Sequence, residues 1–126
     1  MKILILGAGR VGSSLASTLS RENYDVSVID NNKDKLLRLQ EDFDLATVIG
    51  HASHPHTLES AGADEETILL AVTNNDECNI ASCQIAKSKF KVKKTICRFS
   101  DTSYLNSLDA FGAVSYTHLT LPTNCV

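Results

Sequence analysis

Residues 1–30 read MKILILGAGRVGSSLASTLSRENYDVSVID, and this stretch decides the fold. A short apolar run from Lys2 to Leu6 stops at Gly7. Gly9 and Gly12 complete the spacing G-x-G-x-x-G, and a helical pattern follows from about Val11 to Glu22. A second apolar run, Val26 to Ile29, ends in Asp30, eighteen residues beyond Gly12. Strand, glycine turn, helix, strand and acid thus occur in the order that a dinucleotide-binding βαβ unit requires. Gly7 permits the sharp turn off the strand. Gly9 lacks a Cβ, so a pyrophosphate can lie against the backbone, and Gly12 lets the helix pack closely. The helix N-terminus then offers unpaired N–H groups and the positive end of its dipole to phosphates. Asp30 is placed to accept from ribose hydroxyls. A glycine turn kept for packing alone is the plainer alternative, and the position of the acid argues against it.

Downstream, the same alternation of elements continues. Asn31 or Asn32 can cap a helix whose apolar side is Leu36, Leu37, Leu39 and Phe43. Leu45 to Ile49 reads as a third strand closed by Gly50, and Pro55 opens a short helix with Leu58 and Ala61 inward and Gly62 at its end. Thr67 to Val72 is a continuous apolar strand, as expected when helices cover both faces of a sheet. Thr73-Asn74-Asn75-Asp76 starts a helix that runs to about residue 90, Lys94 to Phe99 is a fifth strand, and Thr102 to Phe111 is a final helix ending at Gly112. The sum predicts an α/β fold: a Rossmann-like, doubly wound parallel sheet in three layers, joined by right-handed crossovers. The domain spans residues 1–114. Residues 115–126, SYTHLTLPTNCV, form an atypical tail, read either as a sixth strand or as foreign sequence, since THLTLPT resembles translated adapter read-through.

Composition narrows the function. The 126 residues make one domain or a fragment of something larger. The net charge of −3 leaves no basic surface for nucleic acid. Lys87, Lys89, Lys91, Lys93 and Lys94 cluster; a solvated helix end and loop explains them, with a partner or membrane contact as the alternative. No apolar run approaches eighteen residues, and the first residues form a strand rather than a signal peptide. Cys78, Cys83, Cys97 and Cys125 show no C-x-x-C spacing, which signals neither a zinc site nor a redox dithiol and fits a reducing cytoplasm.

Ligands in such folds bind beyond the carboxyl ends of the strands. Gly50, His51 and Ala52 there would border an adenine. Thr73 and Asn74 would lie beside the pyrophosphate, or else cap the next helix. Arg98 would reach a phosphate or ribose, or else form a salt bridge on an edge strand. His51, His54 and His56 raise a metal site, but their Pro55 loop has no nearby cysteine and solvent-exposed histidines are the better reading. No G-x-S-x-G, acid pair or histidine placed against a nicotinamide is evident, so binding without turnover is the economical expectation.

Five stretches, MKILILGAGRVGSSLA, DVSVID, VIGHASHPHTLESAGA, LLAVTNNDECNIASCQIA and TICRFS, together resemble the N-terminal RCK/KTN domain, the TrkA-N family of potassium channel and transporter regulators. The resemblance covers about residues 1–114, and the pairing of GHASHP with AVTNNDE-x-N is more specific than the glycine motif. It implies NAD or NADH binding by Gly7, Ala8, Gly9, Arg10, Val11, Gly12, Asp30, Asn31, Thr73, Asn74 and Arg98, with ATP or ADP as rival ligands of the same crevice. Many relatives have an acid where this chain has His51. Asp30 favours a free ribose and argues against NADP, an argument weakened slightly by Lys33. The resemblance further implies a cytoplasmic regulatory subunit, peripheral on the inner face of the plasma membrane, docked on a membrane-embedded Trk potassium transporter subunit. It also implies homodimers built into a tetrameric ring, with Leu105, Leu108 and Phe111 as the candidate dimer face or else packed on their own sheet. Such chains carry a small C-terminal ligand-binding domain, so this one reads as an isolated or truncated N-terminal module. The remaining alternative is the cofactor half of a truncated NAD-dependent oxidoreductase.

Overall fold

A computed structural model describes residues 1–100. The predicted helix over Thr102–Phe111, its Leu105, Leu108 and Phe111 face, and the tail from Ser115 lie outside the described residues. Nine elements alternate: β1 (Lys2–Leu6), α1 (Arg10–Arg21), β2 (Asp25–Asp30), α2 (Lys33–Asp42), β3 (Ala46–Ile49), α3 (Pro55–Ser60), β4 (Thr67–Ala71), α4 (Asp76–Lys89) and β5 (Lys94–Cys97).

Among the described residues the strands form one parallel sheet in the order β3-β2-β1-β4-β5. Lys2 of β1 sits in register with Asp25 of β2 on one side and Thr67 of β4 on the other. The strand order therefore reverses between β1 and β4, the point at which a doubly wound sheet opens a crevice at its carboxyl end.

Strand periodicity explains the layers, because successive side chains leave a strand on opposite faces. Ile3, Ile5, Val26 and Val28 join Ala16 of α1 and Leu36 and Leu39 of α2 in one core. Leu4, Leu6, Ile29, Leu69 and Ala71 join Leu58 of α3 and Ile80, Cys83 and Ala86 of α4 in the other. The expected three-layer arrangement is thus built from two apolar cores, one on each face.

Several local expectations are corrected. Leu37 is 45% exposed, because Leu36 and Leu39 set the buried stripe of α2 and a helix turns Leu37 about 100° away from Leu36. Of the two caps expected for α2, Asn32 is the one used, accepting from the Lys35 N–H at 3.2 Å. Asn75, not Thr73 or Asn74, caps α4 through the Cys78 N–H at 2.9 Å. β4 and β5 end earlier than predicted, at Ala71 and Cys97, although single backbone bonds continue the ladder from Val72 N–H to Leu6 and from Arg98 N–H to Ala71.

Candidate functional site

The glycine turn is shaped by contacts of backbone with backbone. Gly7 has φ of +108°, where L side chains are strained, and its N–H donates to the Ile29 carbonyl at 2.8 Å. A Cβ on Gly7 would also stand 3.1 Å from Thr73 Cα. Gly12 is constrained more severely: its Cβ would lie 1.7 Å from the Gly7 carbonyl oxygen. Its role is therefore to let α1 sit on the turn itself, rather than chiefly on the sheet. Gly9 differs, since a Cβ there would meet nothing within 4 Å.

Gly9 is also the N-cap of α1 and supplies no capping side chain, whereas α2 and α4 are capped by Asn32 and Asn75. The first N–H groups of a helix have no partner within it. At α1 those of Arg10, Val11 and Gly12 consequently point beyond the turn, with the helix dipole behind them.

This uncapped end opens on a cavity of about 290 Å³ lined by Gly7, Gly9, Arg10, Val11, Asp30, Lys35, Val72, Thr73, Asn74 and Arg98. A second cavity of about 290 Å³ shares Gly7, Asp30, Thr73 and Asn74 and extends over Asn31, Gly50, His51 and Ala52 toward β3. Together the two bring the predicted residues onto one crevice at the carboxyl edge of the sheet. Ala8 and Gly12 lie behind this surface, where Ala8 acts through its amide and Gly12 through its fit.

Asp30 is held on both oxygens. One accepts the Ala8 N–H at 2.7 Å and the other the Asn32 N–H at 2.7 Å. The carboxylate thus clamps the glycine turn to the start of α2, and each oxygen retains a lone pair for a further donor. Arg98 is 5% exposed, and its Nη1 donates to the carbonyls of Val72 and Thr73 and to Asn74 Oδ1, each at 3.3 Å. The guanidinium is fixed at the crevice wall by the turn after β4.

A residue that closes the AVTNNDE-x-N motif, and to which the sequence reading assigned no role, organises that turn. Asn79 is fully buried on α4; its Oδ1 accepts from the Thr73 N–H at 3.0 Å and the Thr73 hydroxyl at 2.6 Å, while its Nδ2 donates to the carbonyls of Thr73 and Arg98. One amide therefore ties the ends of β4 and β5 together beneath Thr73 and Arg98. The signal available was a polar residue beside Ile80, Cys83 and Ala86 on the inner face of a helix. Ser82 does similar work, donating to the Ala52 carbonyl at 2.9 Å and anchoring the loop that carries His51. No buried side-chain nitrogen or oxygen among the described residues lacks a partner.

Three further residues were missed. Lys35 lines the first cavity, whereas Lys33, the lysine singled out from sequence, does not; Asn75 and Cys78 line the second. His51 is exposed, its Nδ1 accepts the Ser53 N–H at 3.3 Å, and its ring stacks on His54 at 5.0 Å between centroids. No cluster of three or more metal-ligating side chains occurs among the described residues. Outside the crevice, the hydrogen bond with Cys97, together with burial, pushes the Cys83 thiol well above its ordinary range.

An uncapped helix behind a glycine turn, an acid at the end of the second strand and a crevice at the strand-order reversal define a Rossmann-type nucleotide-binding domain. The profile of the TrkA-N domain matches residues 3–118, and the chain belongs to that family. It is 46% identical over its whole length to the Trk system potassium uptake protein TrkA of Vibrio alginolyticus, and spans 28% of that relative. Among solved structures it resembles the TrkA-N domain of the inner membrane protein ybaL from Escherichia coli, with TM-score 0.80 and 22% identity over 94% of this chain and 87% of that one. It also resembles the GsuK channel bound to NAD, with TM-score 0.73 and 22% identity over 92% of this chain and 21% of that one.

Proposed function

We propose that this domain binds NAD or NADH as the regulatory module of a Trk-type potassium uptake system, and that it does so without catalysing turnover. The observation that carries the nucleotide reading is the open, uncapped α1 N-terminus at Gly9, flanked by Asp30 and Arg98. The space that a Cβ on Gly9 would enter is free, and the adjoining N–H groups suit a pyrophosphate. Asp30 would take the adenosine ribose, Gly50, His51 and Ala52 would border the adenine, and Thr73, Asn74 and Arg98 would face the other half of the dinucleotide. The likeness to a TrkA protein and to a channel solved with NAD supports this assignment.

As a regulator, the domain would act through a membrane-embedded potassium transporter subunit, as a homo-oligomer on the inner face of the membrane. Among the described residues no helix is long and apolar enough to cross a membrane. Binding can bias such a partner only through different affinities for its two conformations, since a ligand favouring both equally shifts nothing.

The deciding experiment is a thermal-shift titration with NAD⁺, NADH, ATP and ADP. A ligand at a hundredfold over its Kd should add about 2.7 kcal/mol of stability. If no adenine nucleotide raises the melting temperature, the assignment fails. ATP or ADP acting while the dinucleotides do not would transfer the site to adenine-nucleotide sensing. Steady NADH oxidation with small carbonyl substrates would instead favour the oxidoreductase alternative.

A further inference from the structure

The β3 end of the crevice is closed by a turn in which two histidine rings meet. The His54 N–H donates to the His51 carbonyl at 3.1 Å, which folds the chain back on itself just after Gly50. The two rings then stack, with 5.0 Å between centroids and 29° between planes. The inner side of the turn is fixed, because the buried Ser82 hydroxyl donates to the Ala52 carbonyl at 2.9 Å. Both rings lie on its exposed side, and His51 lines the second cavity of the crevice.

The hydrogen bonds of His51 belong to a neutral ring. Its Nδ1 faces two groups of Ser53, the backbone N–H at 3.3 Å and the hydroxyl at 2.8 Å. A backbone N–H can only donate, so Nδ1 carries a lone pair and the ring proton sits on Nε2. A proton added at Nδ1 would set two donors against each other. A further proton on His54 would set two cations 5.0 Å apart. Imidazole is the side chain that makes this change of charge between about pH 5 and 8.

The surroundings connect that change to the ligand. Asp30 at the end of β2 and Cys78 in the first turn of α4 line the same cavity as His51. Asp76 and Glu77 share that turn of α4, and His56 and Glu59 lie on α3. Asp30 matters most among them. An imidazolium at His51 is attracted to this carboxylate, to which the proposed function gives the ribose, so the proton competes with the ligand for one acceptor. An adenine laid over His51 also takes water from the ring, which disfavours its charged form.

We infer that the His51–His54 pair makes nucleotide binding proton-sensitive: the crevice holds an adenine dinucleotide when both rings are neutral and binds it less tightly once the turn is protonated. The inference rests on the nucleotide reading of the crevice. Its sign follows from linkage. A ligand that prefers the deprotonated pair has its full affinity at the alkaline end of the histidine range, loses affinity as pH falls through that range, and releases protons when it binds there.

Isothermal titration of the 126-residue chain with NAD⁺ and NADH, between about pH 8 and the lowest pH near 5.5 at which the melting curve still shows a folded chain, tests it. The pyrophosphate keeps its charge over this range, so the ligand does not titrate. Affinity should fall about tenfold, as one proton allows over one pH unit. Binding near about pH 6 should release protons, read from the dependence of the heat on the buffer. His51→Asn cannot ionise in this range, and its affinity, whatever its value at about pH 8, should stay within about twofold down to the acid end. His54→Asn should bind within about twofold of wild type at about pH 8 and fall less steeply, having one ring left to titrate. An affinity that is constant or rises on acidification, or a fall that persists unchanged in either variant, overturns the inference while leaving the crevice assignment standing. Failure of NAD⁺, NADH and ADP alike to bind at about pH 8 would remove the crevice assignment and this inference with it.

Discussion

Exchanging Gly9 and Gly12 for alanine, one at a time, separates the structural work of the glycine turn from its ligand-binding work. A Cβ at Gly12 would approach the Gly7 carbonyl oxygen to 1.7 Å, which is 1.3 Å inside the 3.0 Å that real Cβ contacts respect. The obstacle is backbone, so relief requires α1 to move off the turn. Overpacking costs about 1–3 kcal/mol, and a backbone clash belongs at the upper end. Alanine returns about 1 kcal/mol of helix propensity, which leaves a net loss of about 2 kcal/mol or more. For a domain of this size that is a fall in melting temperature of about 8 °C or more. Gly9 has φ of −77° and ψ of −158°, accessible to any residue, and open space where its Cβ would go. Gly9→Ala should therefore melt within a few degrees of wild type, the loss at an N-cap being about 0.5–1 kcal/mol, yet bind NADH at least about tenfold more weakly because the methyl occupies the pyrophosphate surface. Differential scanning fluorimetry with and without NADH reads both effects. If Gly12→Ala melts with wild type, or Gly9→Ala is the less stable of the two, the reading of the turn is wrong.

Three other perturbations have definite outcomes. Asn79→Ala strips partners from Thr73 and from the Arg98 carbonyl, at about 1–3 kcal/mol for each buried group left unsatisfied; a loss of about 3 kcal/mol is expected in urea unfolding, and under 1 kcal/mol would refute its role. Iodoacetamide should label Cys78, which is half-buried, well before Cys83 or Cys97, since both are fully buried and Cys83 is held protonated; equal labelling of the three in the folded protein would contradict the packing of α4 on β5. The Glu66 amide and the Thr67 hydroxyl lower the pKa of Asp64, so its contribution to stability is present above about pH 4, the unfolded value, and lost as the pH falls through the lower folded value. Asp64→Asn should accordingly be less stable than wild type at pH 7 and indistinguishable from it at the acid end of a denaturation series.

What was legible in the sequence, and what was not, follows from the range of the interactions. The sheet was legible because alternation along Ile3, Leu4, Ile5 and Leu6 is a local property, and the chain supplies it to both cores. The glycine turn was legible because its three glycines lie within six residues. The cap of α4 was not legible because Thr73, Asn74 and Asn75 are all competent, and only the backbone path selects Asn75. The role of Asn79, which closes the AVTNNDE-x-N motif, was hidden because its four hydrogen bonds go to Thr73 and Arg98, six and nineteen residues away. The bond from the Ala8 amide to Asp30 spans twenty-two residues and had no local signature either. It gives the acid a structural role beside the expected contact with ribose: Asp30→Ala should lower the melting temperature of the ligand-free protein as well as weaken ribose-dependent binding.

The same long-range bonds bear on how a nucleotide could act as a signal. Asp30 is secured by Ala8 and Asn32, Arg98 by the carbonyls of Val72 and Thr73, and Thr73 by Asn79, so the crevice walls are set before any ligand arrives. Preorganisation of this kind strengthens binding because little ordering is left to be done. It also implies that the walls would present much the same surface in each state of a larger assembly, and a surface unchanged between two states gives a ligand no leverage on them. Differential affinity must then come from groups the domain itself leaves loose. Arg10 and Lys35 are exposed at the rim of the crevice, where a neighbouring subunit or domain could engage them in one state and release them in the other. If the domain regulates a transporter as proposed, a charge reversal at Arg10 should reduce the coupling between nucleotide and transport in the full-length protein more than it reduces nucleotide affinity. Transport assays and binding titrations on the same variant would expose the opposite order.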